Sequence, residues 1–434
     1  MKEAVAFLKV KFPEILCALL ILTFFTIPPI TIGSLPAKAH ITDFLLPFVA
    51  LCLLKKEVFS GFSKKVIIIA SVVAFYILFT IIINKTGRYY NNYFEILQVI
   101  KLTALFLFFR HYYSHEKHAV YIDVLFGILV ILNLFHYFNI FNFNETVMPL
   151  FSNEGNRNLT FFGYYKNWNP GPKRMIGTLG NPNYNALLFI FFLIWYAPKK
   201  SQSTIHQIFY FIAFCLLIFC QSRTSLVAFS LIYLVNIFLS QIGYKKALLL
   251  TGLVIALFFT ISKSGILMGS DTKEFKVKDR TRNYLNADMN NISKATSYTA
   301  RLKIWEKTLT HVKEKPVFGH SPDKQFFYET GNVKHADSEY MLMLFRYGII
   351  GLLGYLALYI YPSIRTLKKM RQYVQAKNML LLSIAFMTAA LMTEPLTNNS
   401  ICYIYIFTVA LFFQRIDPPP NTKIICTPMI KMHK

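Results

Sequence analysis

Charged residues are scarce in this chain. They make up 15% of its 434 residues, against roughly a quarter in an ordinary soluble protein. Acidic residues are scarcer still, with 21 Asp and Glu against 46 Lys and Arg and a net charge of +25. A nucleic-acid binder would gather such an excess on one soluble face. Here the cations come as short clusters between apolar runs, which excludes that reading and matches the charge bias of membrane proteins. Cysteines are few: Cys17, Cys52, Cys215, Cys220 and Cys402 sit in apolar runs and Cys426 lies in the tail. That placement excludes a disulfide framework, and no spacing suggests zinc. The sequence also lacks a Walker A pattern, a GxGxxG after a strand and an HExxH, so no nucleotide, metal or other cofactor is expected.

What is abundant is apolar length. Hydrophobic residues are 55% of the chain, in repeated runs of about 14 to 20 residues that read as membrane helices. The fold class expected is an all-α polytopic membrane protein. Twelve spans are predicted, near 15–33, 41–54, 66–84, 93–109, 119–138, 184–197, 205–220, 224–242, 247–261, 339–361, 378–393 and 400–413. They divide the chain into helices one to five (1–138), a first long loop (139–183), helices six to nine (184–261), a large loop (262–338), helices ten to twelve (339–413) and a tail (414–434). Ala37-Lys38-Ala39 looks like a signal-peptidase site, but the preceding run is long, and an uncleaved first helix is expected. With a cytoplasmic N-terminus, the inner connections hold Lys55, Lys56, Lys64, Lys65, Arg110, Lys117, Arg365, Lys368 and Lys369, while the last outer loop, 394–399, holds no cation. Both termini then lie in the cytoplasm and both long loops outside.

The stretch 299–354 organises the rest. Leu302, Trp305, Leu309 and Val312 fall on one helical stripe, and Pro316 and Gly319 end that helix. The chain re-enters the apolar phase after Asp337. Arg301 and Trp305 share a face. Arg223, in Gln221-Ser222-Arg223-Thr224-Ser225, stands between two spans, either snorkelling to headgroups or forming an anion site. Arg301 has the same two readings; a guanidinium grips a pyrophosphate through paired hydrogen bonds better than lysine does. His335 and Asp337 are candidates for a general base, and Asp337 or Ser338 for a helix cap. Glu339 and Arg346, seven apart, share a face and are either functional or an internal salt bridge, as are Glu95 and Lys101. Lys173 and Arg174 are candidates for contact with an acidic sugar or phosphate, or are simply solvated.

These segments together resemble the bacterial O-antigen ligase and O-antigen polymerase superfamily. Ser222-Arg223-Thr224 looks like its arginine between the seventh and eighth spans. Arg301 to Trp305, followed by Lys315-Pro316-Val317-Phe318-Gly319, looks like its R-x-x-x-W…P-x-x-G segment. Asp337-Ser338 followed by Gly348-Ile-Ile-Gly351 looks like the ligase H-[NSQ]-x9-GxxG pattern, and Gly180-Asn181-Pro182-Asn183 is similar to a recurrent family segment. The ligase histidine aligns with Asp337, while His335 lies two residues earlier, and Asp337-Ser338-Glu339-Tyr340 at this place looks more like polymerases. The resemblance implies a GT-C-like fold with a large periplasmic loop between helices nine and ten, set in the bacterial inner membrane. It implies transfer of a glycan from undecaprenyl pyrophosphate to another lipid-linked repeat unit, or, in a ligase, to lipid A-core, at the periplasmic face. Arg223 and Arg301 would clamp the pyrophosphate, and Asp337, or else His335, would accept the acceptor's proton. Trp305, Glu339, Arg346, Lys173 and Arg174 are further candidates for substrate contact. Partners implied are the lipid-linked donor, the glycan acceptor, membrane lipids and a chain-length regulator or flippase. A polytopic transporter is the reading from another class, but no internal repeat is found and the polar residues favour the outer face rather than the midplane.

Overall fold

The computed structural model describes residues 11–31, 38–59, 61–87, 92–152, 174–197, 203–240, 296–322, 336–369, 373–396 and 398–419. The ninth span at 247–261, the middle of the first long loop (153–173), most of the second and the end of the tail lie outside them. Apart from a ribbon of two short strands, Ile30–Thr31 and Lys38–Ala39, the regular structure described is helical. The chain is a helical membrane protein. Three helical runs among the described residues are long and apolar enough to cross a membrane: Gly61–Ile83, His115–Phe138 and Glu339–Leu367.

Two compact units divide the chain. The first unit holds residues 1–125, 301–383 and 390–434. It includes α1 (Phe12–Thr26), α2 (Ile41–Leu53), α3 (Gly61–Ile83), α4 (Tyr93–Tyr112) and the start of α5 (His115–Phe138). Pro13 sits in the first turn of α1, where its missing N–H costs nothing. Helix α2 opens on a reciprocal cap, in which the Asp43 carboxylate accepts from the His40 amide at 2.7 Å. Helix α3 exposes Ile68, Ile69, Val72, Phe75 and Ile82, an apolar face suited to a hydrocarbon phase. At one end of this unit the buried Arg110 donates to Ser63 Oγ (2.7 Å) and to the carbonyl of Asp417, and lies over the Phe62 ring. Arg365 reaches the Asp417 carboxylate at 3.0 Å. An arginine this deeply buried requires such partners.

The second unit holds 126–300 and 384–389, including α6 (Pro182–Trp195), α7 (Thr204–Phe219) and α8 (Arg223–Ser240). Helix α6 is buried on every side, from Asn185 to Ile194. Its 14 residues reach only about 21 Å, short of the ~30 Å of a hydrocarbon core. The Gly-Asn-Pro-Asn segment is its start signal: Asn181 caps the helix, accepting from the Asn183 amide at 2.8 Å, and Pro182 follows inside the first turn.

The other long helices among the described residues are α9 (Thr296–Glu314), α10 (Glu339–Leu367), α11 (Val374–Ala390) and α12 (Asn399–Ile416). Helix α12 packs along α4 in the first unit, through pairs such as Phe109–Phe407 at 5.0 Å. Within α10, Gly348 takes φ 64° and ψ −164°, which is not helical. The expected tenth span at 339–361 is therefore not one rod. Glu339 and Tyr355 would stand about 24 Å apart in a continuous helix. Yet the Tyr355 hydroxyl donates to Glu339 Oε2 at 2.7 Å, so the arm 339–347 folds back on the segment 349–367. This second arm ends beside the lysines at 368 and 369 and exposes Leu353, Leu358, Ile360 and Ile364.

Candidate functional site

The fold-back is built by the two glycine motifs together. Breaking a helix frees backbone carbonyls before the break and an amide after it. The turn after α9 takes all three: His320 N donates to Phe345 O (2.9 Å), Ser321 N to Arg346 O (2.8 Å), and Ile349 N donates to Pro316 O (2.9 Å). A side chain at Gly348 would come 2.2 Å from Val317 O, and one at Gly319 2.5 Å from Arg346 O. The P-x-x-G turn and the G-x-x-G segment are thus two halves of one joint, and neither tolerates a Cβ at its contact. Asn84, Lys315 and Thr86 fasten it further, through Lys315 Nζ to Asn84 Oδ1 (2.6 Å) and Thr86 Oγ1 to Ser321 Oγ (2.6 Å).

That joint sets α9 beside the arm 339–347. Val312 packs with Ala336, Leu342 and Phe345. Leu302 and Leu309, on one stripe with Trp305 and Val312, are exposed, and the covered residues of α9 run through Arg301, Ile304, Thr308 and Val312. Trp305 Nε1 donates to Ala336 O at 3.0 Å. Arg301 Nε meets Asp337 Oδ2 at 3.4 Å, with the side chains 28% and 40% exposed. Arg301 Nη1 also lies 3.8 Å from Met392 Sδ. The structure thus brings together Arg301, Trp305 and Asp337, which are 36 residues apart at the extremes. Asp337 has φ 52°, a conformation non-glycine residues keep only where their surroundings impose it. It is not the helix cap: Ser338 occupies that position, its hydroxyl turned to Ala390 O at 3.2 Å.

Arg346 and Glu339 do not pair with each other. Arg346, 2% exposed, bonds Glu95 at 3.3 Å, and Glu339, fully enclosed, bonds Tyr355 and the Leu396 amide at 3.0 Å. Lys101 pairs with Asp43 at 2.7 Å and lies over the Tyr403 ring. His335 and Lys173 lie outside the described residues. Sequence reasoning missed Glu394, whose Oε1 accepts from the Ala336 amide at 3.2 Å, and Tyr355. Glu394 is the one acid of an outer loop without cations, a signal that was available; Tyr355 is one aromatic among many in an apolar run and carried none.

The second unit has a polar cluster of its own. Arg223 opens α8. Ser222 Oγ donates to Asn183 Oδ1 at 2.9 Å and contacts Ser225 Oγ at 2.9 Å. Arg174 donates to Asn183 Oδ1 (3.1 Å) and to Cys220 O (3.3 Å). The Gly-Asn-Pro-Asn and Ser-Arg-Thr segments therefore meet through Asn183 and Ser222, and Arg174 joins them.

His320 is the other residue that the sequence left unmarked. It is buried, its ring stacked on Phe345 at 4.9 Å and its Nε2 2.8 Å from His311 O. Burial, aided by Lys315, lowers its pKa below the usual 6.5, against the opposing pull of the His311 carbonyl. The folded protein then takes this proton less readily than the unfolded chain. Stability is unaffected above about pH 6.5 and falls as the pH drops below it. We expect the thermal midpoint of the purified protein to decline below that pH, and His320→Gln to lessen the decline. A His320→Gln variant with the same slope would remove His320 as its source.

A family profile described as O-antigen ligase matches residues 208–356. The matched stretch runs from α7 through α8 and α9 to the arm beyond Gly348, and so contains Arg223, Arg301, Asp337 and both halves of the glycine joint. An uncharacterized protein of Haemophilus influenzae is similar to this chain, 24% identical over 339 residues that cover 74% of the chain and 76% of that protein. Over that stretch, which spans the arginine segments and the joint that the structure assembles, the chain is similar to the O-antigen ligase family.

Proposed function

We propose that the chain is an O-antigen polymerase, which transfers an undecaprenyl-pyrophosphate-linked glycan to a lipid-linked repeat unit at the periplasmic face of the bacterial inner membrane. The observation that carries the reading is the Arg301–Asp337 pair, partly exposed beside a fold-back that family motifs build. In this reaction the acceptor hydroxyl oxygen bonds to the anomeric carbon while the bond from that carbon to the pyrophosphate breaks. The hydroxyl proton passes to Asp337, and the lipid pyrophosphate leaves with the bonding electrons. Charge grows on the leaving group, and a preorganised guanidinium stabilises it. An incoming pyrophosphate, with more charge than one carboxylate, draws Arg301 from Asp337 and frees the carboxylate to act as base. In its own unit Arg223 keeps the assignment of a phosphate-binding residue.

Asp337 at the place of the ligase histidine favours polymerase over ligase. Twelve spans, cytoplasmic termini and a periplasmic loop before α10 belong to the same proposal. Deleting the gene tests it. Loss of a polymerase leaves a single repeat unit on the lipopolysaccharide, whereas a bare core would assign the chain as the ligase. A lipopolysaccharide gel unchanged by the deletion would reject both.

A further inference from the structure

We infer that Glu339 is a positioning residue for the Arg301–Asp337 pair, a role that rests on the transferase reading above. Glu339 is fully enclosed. Its Oε2 atom accepts from the Tyr355 hydroxyl at 2.7 Å and from the Leu396 amide at 3.0 Å, and its own amide donates to Thr393 O at 3.1 Å. One residue thereby ties three pieces of chain: the first turn of the arm 339–347, the segment 349–367, and the turn 391–396. Tyr355 is in turn fixed by a 2.9 Å hydrogen bond to the Tyr359 hydroxyl. The Tyr359 ring stands edge-on to Tyr405 at 5.0 Å.

The turn that Glu339 holds is the one the pair leans on. Met392 receives Arg301 Nη1, and Glu394 receives the amide of Ala336, the residue before Asp337. On the other side of Asp337, Ser338 Oγ donates to Ala390 O, where that turn begins. Asp337 is thus pinned from both flanks to a single turn, in a left-handed backbone conformation at φ 52°. Such a conformation relaxes when the restraints around it go. Removing the Glu339 side chain releases the turn, lets Asp337 return to an ordinary φ, and moves its carboxylate away from Arg301. The buried carboxyl touches no reacting atom in this account and acts through Asp337.

The role makes a distinctive substitution pattern. Glutamine keeps a side-chain oxygen that can accept both bonds, and alanine does not. Variants are expressed in a deletion strain, matched for membrane abundance, and scored by the amount and length of surface polysaccharide on a lipopolysaccharide gel. Glu339→Ala is expected to lose about tenfold or more, and Glu339→Gln to recover to within about threefold of wild type. Tyr355→Phe is expected to lose severalfold, and Glu339→Ala with Tyr355→Phe to be no worse than Glu339→Ala alone, since both remove one interaction. Full activity in Glu339→Ala, or Glu339→Gln as inactive as Glu339→Ala, would overturn the inference. Should Glu339→Ala fail to accumulate, the other two decide. An active Glu339→Gln with a weakened Tyr355→Phe supports the role, and an inactive Glu339→Gln or an unaffected Tyr355→Phe refutes it. Arg301→Ala runs in parallel: if it is inactive while Glu339→Ala is fully active, only the positioning role falls, and if it is active the transferase site itself is misassigned.

Discussion

Arg301→Ala is expected to cut glycan transfer by about a hundredfold or more, the scale set by removing one preorganised donor from a developing anion. The protein should still fold and reach the membrane. The ion pair to Asp337 is 3.4 Å long, and its side chains are 28% and 40% exposed, so solvent screens it and it adds little to stability. Activity and abundance therefore separate at this residue, which is what distinguishes chemistry from structure. Arg301→Lys should recover little, because an ammonium cannot make the planar paired contact with phosphate. Asp337→Asn, nearly isosteric, should lose most activity as well, since an amide cannot take the acceptor's proton; His335→Ala should keep a substantial part. The measurement is polymer length and amount on a lipopolysaccharide gel, with the protein quantified in membranes. Normal polymer from Arg301→Ala would take this arginine out of the mechanism. An active Asp337→Asn beside an inactive His335→Ala would give the histidine the base role.

Gly348→Ala is expected to do the reverse, damaging the fold before the chemistry. At φ 64° and ψ −164° a Cβ is strained, at a cost of roughly 1–3 kcal/mol. It would also lie 2.2 Å from Val317 O, and that carbonyl cannot retreat, because the three backbone hydrogen bonds between 316–321 and 345–349 hold the turn in place. Opening the joint forfeits those bonds and leaves buried carbonyls unpaired, so the total is roughly 3 kcal/mol or more. A lower thermal midpoint in detergent, reduced membrane abundance and loss of polymer should come together. Gly354→Ala is the matched control six residues on. Nothing stands within 4 Å of its added Cβ, and the change is helix-favouring, so it should melt at or slightly above wild type. A Gly348→Ala variant that melts with wild type would mean the fold-back does not exist as described.

Hydropathy along the chain was enough to find most of the helices. The runs at 66–84, 93–109, 119–138 and 205–220 correspond within a few residues to α3, α4, α5 and α7, because a membrane helix is specified locally, by an unbroken apolar stretch of sufficient length. The start of α6 was equally legible, since Asn181 and Pro182 act within one turn. The family motifs, too, could be read as strings: the residues of R-x-x-x-W, P-x-x-G and G-x-x-G are adjacent in sequence. What they are for could not be read from the strings. Glycine inside an apolar run leaves its hydropathy almost unchanged, so 339–361 read as one span. Gly348 breaks it only because the Pro316–Ser321 turn supplies the hydrogen bonds that a broken helix needs. Arg346, which shares a helix face with Glu339 in the sequence, reaches Glu95, 251 residues away; of the two caps the sequence left open, Ser338 holds the position and Asp337 faces Arg301. Helical stretches follow from interactions a few residues apart, which composition reveals. The partner of a buried charge is chosen by which helices pack together, and that choice exists only once the chain has folded.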